Sequence, residues 1–320
     1  MSESTSTTTP PLYLNPTTGD LIIRTPNPDS TDFHVHRCII ANLSPVFADM
    51  FSLPAPGACD TAGPDKPVVD VQEPAAVWTH ILSFCHFAPR PSSLTIDDVH
   101  ALLEAARKYQ MPGVTDWMRR TLADEFVDKQ PLSAFGLACA YKLDDLARRA
   151  ARASLLLPAN FAFVKELDLI PTRQYHRLLE YRRRCLSAAR TILSWESGSW
   201  RSPSWLSDMS DIGRYNRALH VLRSLNKPSK LGPHVGREYQ VNDAWRVGME
   251  ALCKSMETQL RPSSTFCPLL LEPLVQACVS TSSYGELEDI QTIVSRAHKF
   301  ALLLDDELKR VVELELDNDK

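Results

Sequence analysis

The sequence predicts an α+β fold class, with a small sheet surrounded by helices near the N-terminus and an all-α C-terminal region. Short apolar runs with strand-type spacing occur at residues 21–23 and at 33–35, where His34 separates two apolar residues. From residue 37 onward, apolar residues recur mainly every three or four positions, which is the spacing of helices. Pro26 to Asp29 form a turn cluster, which predicts that the two strands are close neighbours.

The clearest helix start in the sequence is Ser44-Pro45. Serine is a favourable N-cap, and proline suits the first helical position because its missing N–H costs nothing there. The helix that follows carries apolar residues at helical spacing, with Phe47 and Phe51 among them. We therefore predict that both phenylalanines lie in the core of the first domain.

Several short motifs follow one another in a specific order. Asp20 precedes the first strand, His36-Arg37 opens a helix, and Ser44–Phe47 begins the next helix. A strand-like Val68-Val69 and three further helical patterns complete the series. Over residues 17–125 this order resembles the BTB/POZ domain, a protein-interaction fold. The resemblance implies a small α/β core that presents helices and strand edges to partner proteins.

In the BTB family, an acid at the first strand and a base at the following helix line a charged pocket. The matching positions here are Asp20 and Arg37, so the resemblance implies a protein-binding role for these two residues. The alternative is that Asp20 caps a turn and Arg37 is a solvated helix residue. If the pair is partly buried, removal of one partner would cost on the order of 3–5 kcal/mol.

The resemblance implies other proteins as partners, including a second copy of the chain through the BTB domain. Family members that recruit cullin ubiquitin ligases carry an apolar-x-Glu motif shortly after the helix that here ends at Phe51. The segment Ser52–Pro64 contains no glutamate, so a cullin scaffold has less support than generic protein binding. A Pro/Thr-rich tail stands where many members have an extra helix that exchanges in a dimer.

The rest of the chain divides into three further segments. Residues 1–16 are rich in Ser, Thr and Pro and predict a disordered tail. Residues 126–230 resemble the BACK-like helices that follow many BTB domains, and residues 231–320 predict a second helical region with a long final helix. The chain as a whole most resembles BTB proteins of mushroom-forming fungi.

The distribution of charge suggests a second class of function. Residues 126–230 carry 18 basic and nine acidic side chains, whereas both flanking segments are acidic. A basic middle region could bind nucleic acid, as a transcriptional regulator would. The strongest run, Arg182–Arg184, follows apolar residues at helical spacing, which favours the solvated face of an amphipathic helix. Nucleic acid is therefore the less favoured partner.

Composition and motifs favour a protein that is not an enzyme. The hydrophobic share of 44% and the charged share of 23% are typical of a soluble globular protein. The sequence has no phosphate loop, nucleophile elbow or metal-binding histidine motif, so we expect no cofactor and no metal. The sequence leaves one alternative open, an enzyme whose catalytic site is assembled from residues distant in sequence.

The cysteine pattern and the hydropathy of the sequence indicate the cellular compartment in which we expect the protein. The eight cysteines stand singly, and Cys38, Cys85 and Cys139 are interpreted as small buried residues on apolar helix faces. Unpaired thiols without a secretory signal favour an intracellular protein of the cytoplasm or nucleus. No run of eighteen apolar residues occurs, so we expect no membrane-spanning segment.

Overall fold

The structure is a computed structural model, and backbone contacts divide the chain into two units, Met1–Ala147 and Arg148–Lys320. It describes residues 12–53, 66–85, 93–192, 199–201, 222–224, 238–241, 243–256, 260, 268–273, 276 and 287–317. The boundaries expected from sequence at residues 125/126 and 230/231 stay predictions.

The first unit contains a three-stranded sheet of mixed direction. Its strands are β1 (Leu21–Arg24), β2 (Asp32–Val35) and β3 (Val68–Asp70), in the order β2-β1-β3. β1 pairs antiparallel with β2 and parallel with β3. The side chains of Leu21 and Ile23 are buried on one face together with those of Phe33 and Val35, as the period-two pattern predicts.

Helices surround this sheet, which confirms the predicted fold class of the N-terminal domain. They are α1 (Arg37–Leu43), α2 (Pro45–Ser52), α3 (Ala75–Cys85), α4 (Ile96–Lys108), α5 (Pro112–Thr121) and α6 (Pro131–Ala140). A π-helical turn, Leu122–Phe126, continues α5. Thr95 and Asp98 form a reciprocal capping box at the start of α4, which satisfies two backbone donors that would otherwise be unpaired.

The start of α2 has the predicted cap. The Ser44 hydroxyl accepts a hydrogen bond from the Phe47 backbone N–H at 3.3 Å, and Pro45 occupies the first turn. Phe47 is fully buried, and its ring lies against those of Trp78 (centroids 5.9 Å apart) and Tyr109 (4.9 Å). Phe51 is only half-buried, because it stands at the C-terminal end of the helix. The core prediction is confirmed for Phe47 and holds only in part for Phe51.

Two sequence-based expectations for the first unit need correction. The predicted boundary of the disordered tail at residue 16 lies too far along the chain, because Leu12–Leu14 form a 3₁₀ turn that packs on β2. Tyr13 is buried there against the Phe33 ring, with ring centroids 6.0 Å apart. Cys38, predicted to be buried, is exposed, because only Ile40 of helix α1 reaches the core.

The C-terminal region is helical, as predicted. Its described helices include α7 (Asp144–Ser154), α8 (Thr172–Ile192), α9 (Asp243–Ser255) and α10 (Leu287–Asp317), with a 3₁₀ turn at Lys165–Leu169. Helices α8 and α10 pack together, and Ala297, Ala301, Leu304 and Leu308 form the buried stripe of α10. These four residues belong to the apolar stripe expected from helical spacing.

A second small sheet in this region was not predicted. Strands β4 (Ser199–Arg201), β5 (Leu222–Ser224) and β6 (Glu238–Val241) are antiparallel in the order β4-β6-β5. Helix α9 begins at Asp243, after β6 has ended at Val241.

Phe47 provides a test of the predicted core. Phe47→Ala removes a ring that contacts two other buried aromatic rings, so we expect the free energy of unfolding to fall by about 3–5 kcal/mol. Urea denaturation of the full chain measures this change. Met50→Ala, on the exposed side of the same helix, is the control and should change stability by less than about 1 kcal/mol. Equal effects of the two substitutions would contradict the placement of α2.

Candidate functional site

The first predicted site residue, Asp20, is held in place by the glycine before it. Gly19 has a φ of +73°, and a Cβ atom there would lie 2.3 Å from the Val35 carbonyl oxygen, so only glycine fits. The close approach lets the Asp20 backbone N–H donate to that same oxygen at 3.0 Å. Asp20 is thereby fixed beside the end of β2, where helix α1 begins.

The Asp20 carboxylate caps α1 from a distance in sequence. Its Oδ1 atom accepts a hydrogen bond from the Arg37 backbone N–H at 2.7 Å. The residue at the N-cap position, His36, makes no side-chain capping bond, so Asp20 fulfils the role that the N-cap side chain usually has. A carboxylate at this position also faces the positive end of the helix dipole.

The Arg37 side chain extends to the other helix of the pair. Its guanidinium donates to the Phe51 carbonyl oxygen at 3.3 Å and lies 4.9 Å from the centre of the Phe51 ring. Arg37 thus satisfies a carbonyl at the C-terminal end of α2 and makes a cation–π contact there. Among the described residues, its guanidinium forms no ion pair with Asp20.

The structure therefore brings the two predicted site residues together through a backbone cap. Asp20 is exposed and Arg37 is half-buried, so both charges reach the surface. The nearby end of α2 exposes 39% of Met50 and 70% of Leu53. We call Asp20, Arg37, Met50, Phe51 and Leu53 the α1–α2 surface. Arginine, aromatic and methionine side chains beside polar groups are typical of protein interfaces.

A second polar cluster, which the sequence analysis missed, lies between β3 and the end of α4. The Glu73 carboxylate accepts hydrogen bonds from the Lys108 ammonium and the Tyr109 hydroxyl, each at 2.7 Å. Burial raises the pKa of Glu73, but these two hydrogen bonds outweigh it and leave the pKa below its ordinary value. Burial and the neighbouring carboxylate raise the pKa of Tyr109. No local sequence pattern could show this cluster, because Lys108 and Tyr109 lie 35 and 36 residues after Glu73.

The basic run of the middle region is not an open patch. Arg182 is buried, donates to the carbonyl oxygens of Leu157 and Pro158, and lies over the Phe161 ring. Arg183 forms an ion pair with Glu180 one turn earlier. The expectation that Arg182–Arg184 form a wholly solvated face is thus corrected, because Arg182 points into its own unit.

The described residues contain no group of three His, Cys, Asp or Glu side chains placed to hold a metal ion. Burial raises the pKa of the Cys85 and Cys139 thiols to about 11, with a contribution from Asp144 at Cys139. These thiols are therefore protonated at neutral pH and are poor nucleophiles.

No described helix is both long enough and apolar enough to cross a membrane.

The Glu73 cluster makes stability depend on pH. A carboxylate whose pKa is lower in the folded state stabilises the fold above its unfolded pKa, near 4.5, and loses that contribution as the pH falls through the folded pKa. At pH 7 we expect Glu73→Gln to lower the free energy of unfolding by about 1 kcal/mol. Below about pH 4 the difference from wild type should shrink.

Urea denaturation at pH 7 and pH 3.5 measures this dependence. Glu125→Gln is a matched control, because that exposed carboxylate makes no hydrogen bond or ion pair with a described residue. An unchanged difference between wild type and Glu73→Gln at the two pH values would contradict the assignment.

Comparison with known families agrees with the sequence resemblance. Residues 13–125 match the family model of the BTB/POZ domain. The matched range begins at the buried Tyr13 and ends in the π-helical turn after α5, so it covers the sheet and helices α1–α5. No curated protein matches the chain.

Proposed function

We propose that this protein, whose residues 13–125 form a BTB/POZ domain, is a non-catalytic adaptor or scaffold that binds other proteins. BTB domains are in general protein-interaction modules, and they commonly dimerise. The observation that carries the proposal is the α1–α2 surface, where Asp20 caps α1 beside Arg37 and apolar side chains are exposed at the end of α2.

The physical argument concerns how that surface is supported. Asp20 is fixed by its backbone bond to Val35 and by its cap on α1, and Arg37 is fixed by its contacts with Phe51. Charged groups that are already ordered lose little conformational entropy when a partner binds. Leu53, exposed over 70% of its surface, provides apolar area that a partner can bury.

Two kinds of protein partner fit this proposal. A second copy of the chain is one, through the BTB domain. A cullin scaffold is another, and it would make the protein a substrate adaptor of a ubiquitin ligase, with the BACK-like helices of residues 126–230 available for a further partner. The missing glutamate in the segment after Phe51 counts against cullin recruitment.

A transcriptional regulator that binds nucleic acid through the middle region is the alternative. Two arginines of its strongest basic run are engaged within their own unit, Arg182 with carbonyl oxygens and Arg183 with Glu180. Fewer free cations are then available for phosphates, so the adaptor is favoured. The single, unpaired cysteines support a location in the cytoplasm or nucleus.

The test must separate the charge of each residue from its structural role. Asp20→Asn removes the negative charge but keeps a side-chain oxygen that can accept from the Arg37 N–H. Arg37→Gln removes the positive charge but keeps two methylene groups and a polar N–H donor. Arg37→Glu reverses the charge. If the surface binds partners, each variant should recover at least fivefold less partner protein than wild type.

Quantitative affinity purification with mass spectrometry measures the recovery, and sedimentation velocity measures self-association. Asp29→Asn, in the exposed turn between β1 and β2, is the matched control and should behave as wild type. Circular dichroism and thermal melting check that each variant is folded. Equal recovery from well-folded wild type, Asp20→Asn and Arg37→Glu would exclude this surface as the binding site. Recovery of nucleic acid that falls steeply between 50 and 200 mM salt would favour the alternative.

A further inference from the structure

A cavity of about 260 Å³ lies between the end of α3 and the outer face of α5, within the BTB domain. Phe84 of α3 and Trp117 of α5 form one wall, with their rings stacked at 5.4 Å and only 8° from parallel. Gly113 also lies beside the Phe84 ring, and a Cβ atom there would be in ordinary van der Waals contact with it at 3.4 Å. The wall is apolar and is held in a fixed position.

The mouth of this cavity is charged and mainly acidic. Asp116, Arg120 and Asp124 follow one another at intervals of four residues, and Glu125 adds a third carboxylate. All four residues are exposed, and none forms an ion pair or hydrogen bond with another described residue. Asp116 also interacts electrostatically with Arg119, which is itself paired with Asp145. Three carboxylates against one guanidinium leave a net negative charge at the mouth.

Asp124 and Glu125, which both line the cavity, belong to the π-helical turn. In this turn the Val127 N–H donates to the Leu122 carbonyl oxygen at 3.0 Å, one residue further back than in an α-helix. Single π-turns within α-helices are frequent at functional sites.

We propose that this cavity binds one arginine side chain from an extended segment of a partner protein. The apolar wall of Phe84 and Trp117 would cover the methylene stem, and the carboxylates of Asp116, Asp124 and Glu125 would bind the guanidinium. The cavity is smaller than the roughly 300–1,000 Å³ of sites for drug-sized ligands, so it suits a single side chain. The inference relies on the proposed function only in that the occupant belongs to a protein.

A short peptide tests this proposal with the full chain. The probe is the capped pentapeptide acetyl-Gly-Ser-Arg-Ser-Gly-amide, and its control replaces arginine with citrulline, which has the same shape and no charge. The readout is the NMR signal of the Trp117 indole N–H, identified by its loss in Trp117→Phe. We expect the arginine peptide to shift this signal in a saturable way at millimolar concentration, and the citrulline peptide to leave it in place.

Variants then locate the bound peptide. Neutralising two carboxylates in Asp116→Asn/Asp124→Asn should weaken binding by roughly fivefold. Asp128→Asn removes one exposed carboxylate that does not line the cavity, and should bind as wild type. Arg37→Gln, which tests the α1–α2 surface, should also leave the Trp117 shift unchanged, so the two proposals fail independently.

Three results would overturn the inference. The first is an absent Trp117 shift, or an equal shift with the citrulline peptide. The second is unchanged affinity in the folded double variant. The third is methylguanidinium binding as tightly as the peptide, which would indicate a small-cation site in place of a site for a protein segment.

Discussion

The hydrogen bonds of Ser44 link two helices of the N-terminal domain, α2 and α4. Its hydroxyl is fully buried, donates to the Tyr109 carbonyl oxygen and accepts from the Phe47 N–H. One side chain thus satisfies a carbonyl at the end of α4 and an amide at the start of α2, two groups that helices leave unpaired. Each would cost about 1–3 kcal/mol if it were buried without a partner.

The packing around Ser44 explains why this contact matters for the rest of the domain. The Tyr109 ring lies against Phe47 and Trp78, and its hydroxyl donates to Glu73 in the connection between β3 and α3. Four parts of the domain therefore meet at one tyrosine: α2, α3, the end of α4 and the segment after β3. The ring contacts are apolar, and the Ser44 and Tyr109 hydroxyls and the Glu73 carboxylate are all paired. The buried Trp78 indole nitrogen has no hydrogen-bond partner among the described residues.

The proposed binding surface depends on this buried cluster. Arg37 contacts the carbonyl of Phe51 at the far end of α2, so the position of Arg37 follows the position of that helix. Asp20 in turn caps α1 through the N–H of Arg37. A partner that binds Asp20, Arg37 and Leu53 would contact a surface whose geometry depends on Ser44 and Phe47 in the core.

Local features of the fold could be predicted from sequence, and long-range contacts could not. Ser44-Pro45 specifies a cap within four residues, and alternation of apolar residues specifies β1 and β2. Tyr13 was assigned to a tail because its contact with Phe33 lies outside any local pattern. The strands β4–β6 were missed because each has only three or four residues, too few for a periodic signal.

In the candidate site, too, the sequence could identify residues but could not predict their long-range contacts. Family resemblance identified Asp20 and Arg37, but composition could not show that their contact is a cap and not an ion pair. The Glu73 cluster and the cavity beside Trp117 each join residues that are far apart in sequence, so only the folded chain brings them together.

Native-state hydrogen exchange tests the central claim most directly. If Ser44 and its aromatic neighbours organise the domain, the Phe47 amide should exchange only when the whole domain unfolds. Its opening free energy should then equal that of the Ile22 amide, which donates to the Pro67 carbonyl oxygen in the sheet at 2.9 Å. A Phe47 amide that opens at a free energy about 2 kcal/mol or more below that of Ile22 would show that α2 opens independently, and would contradict the account.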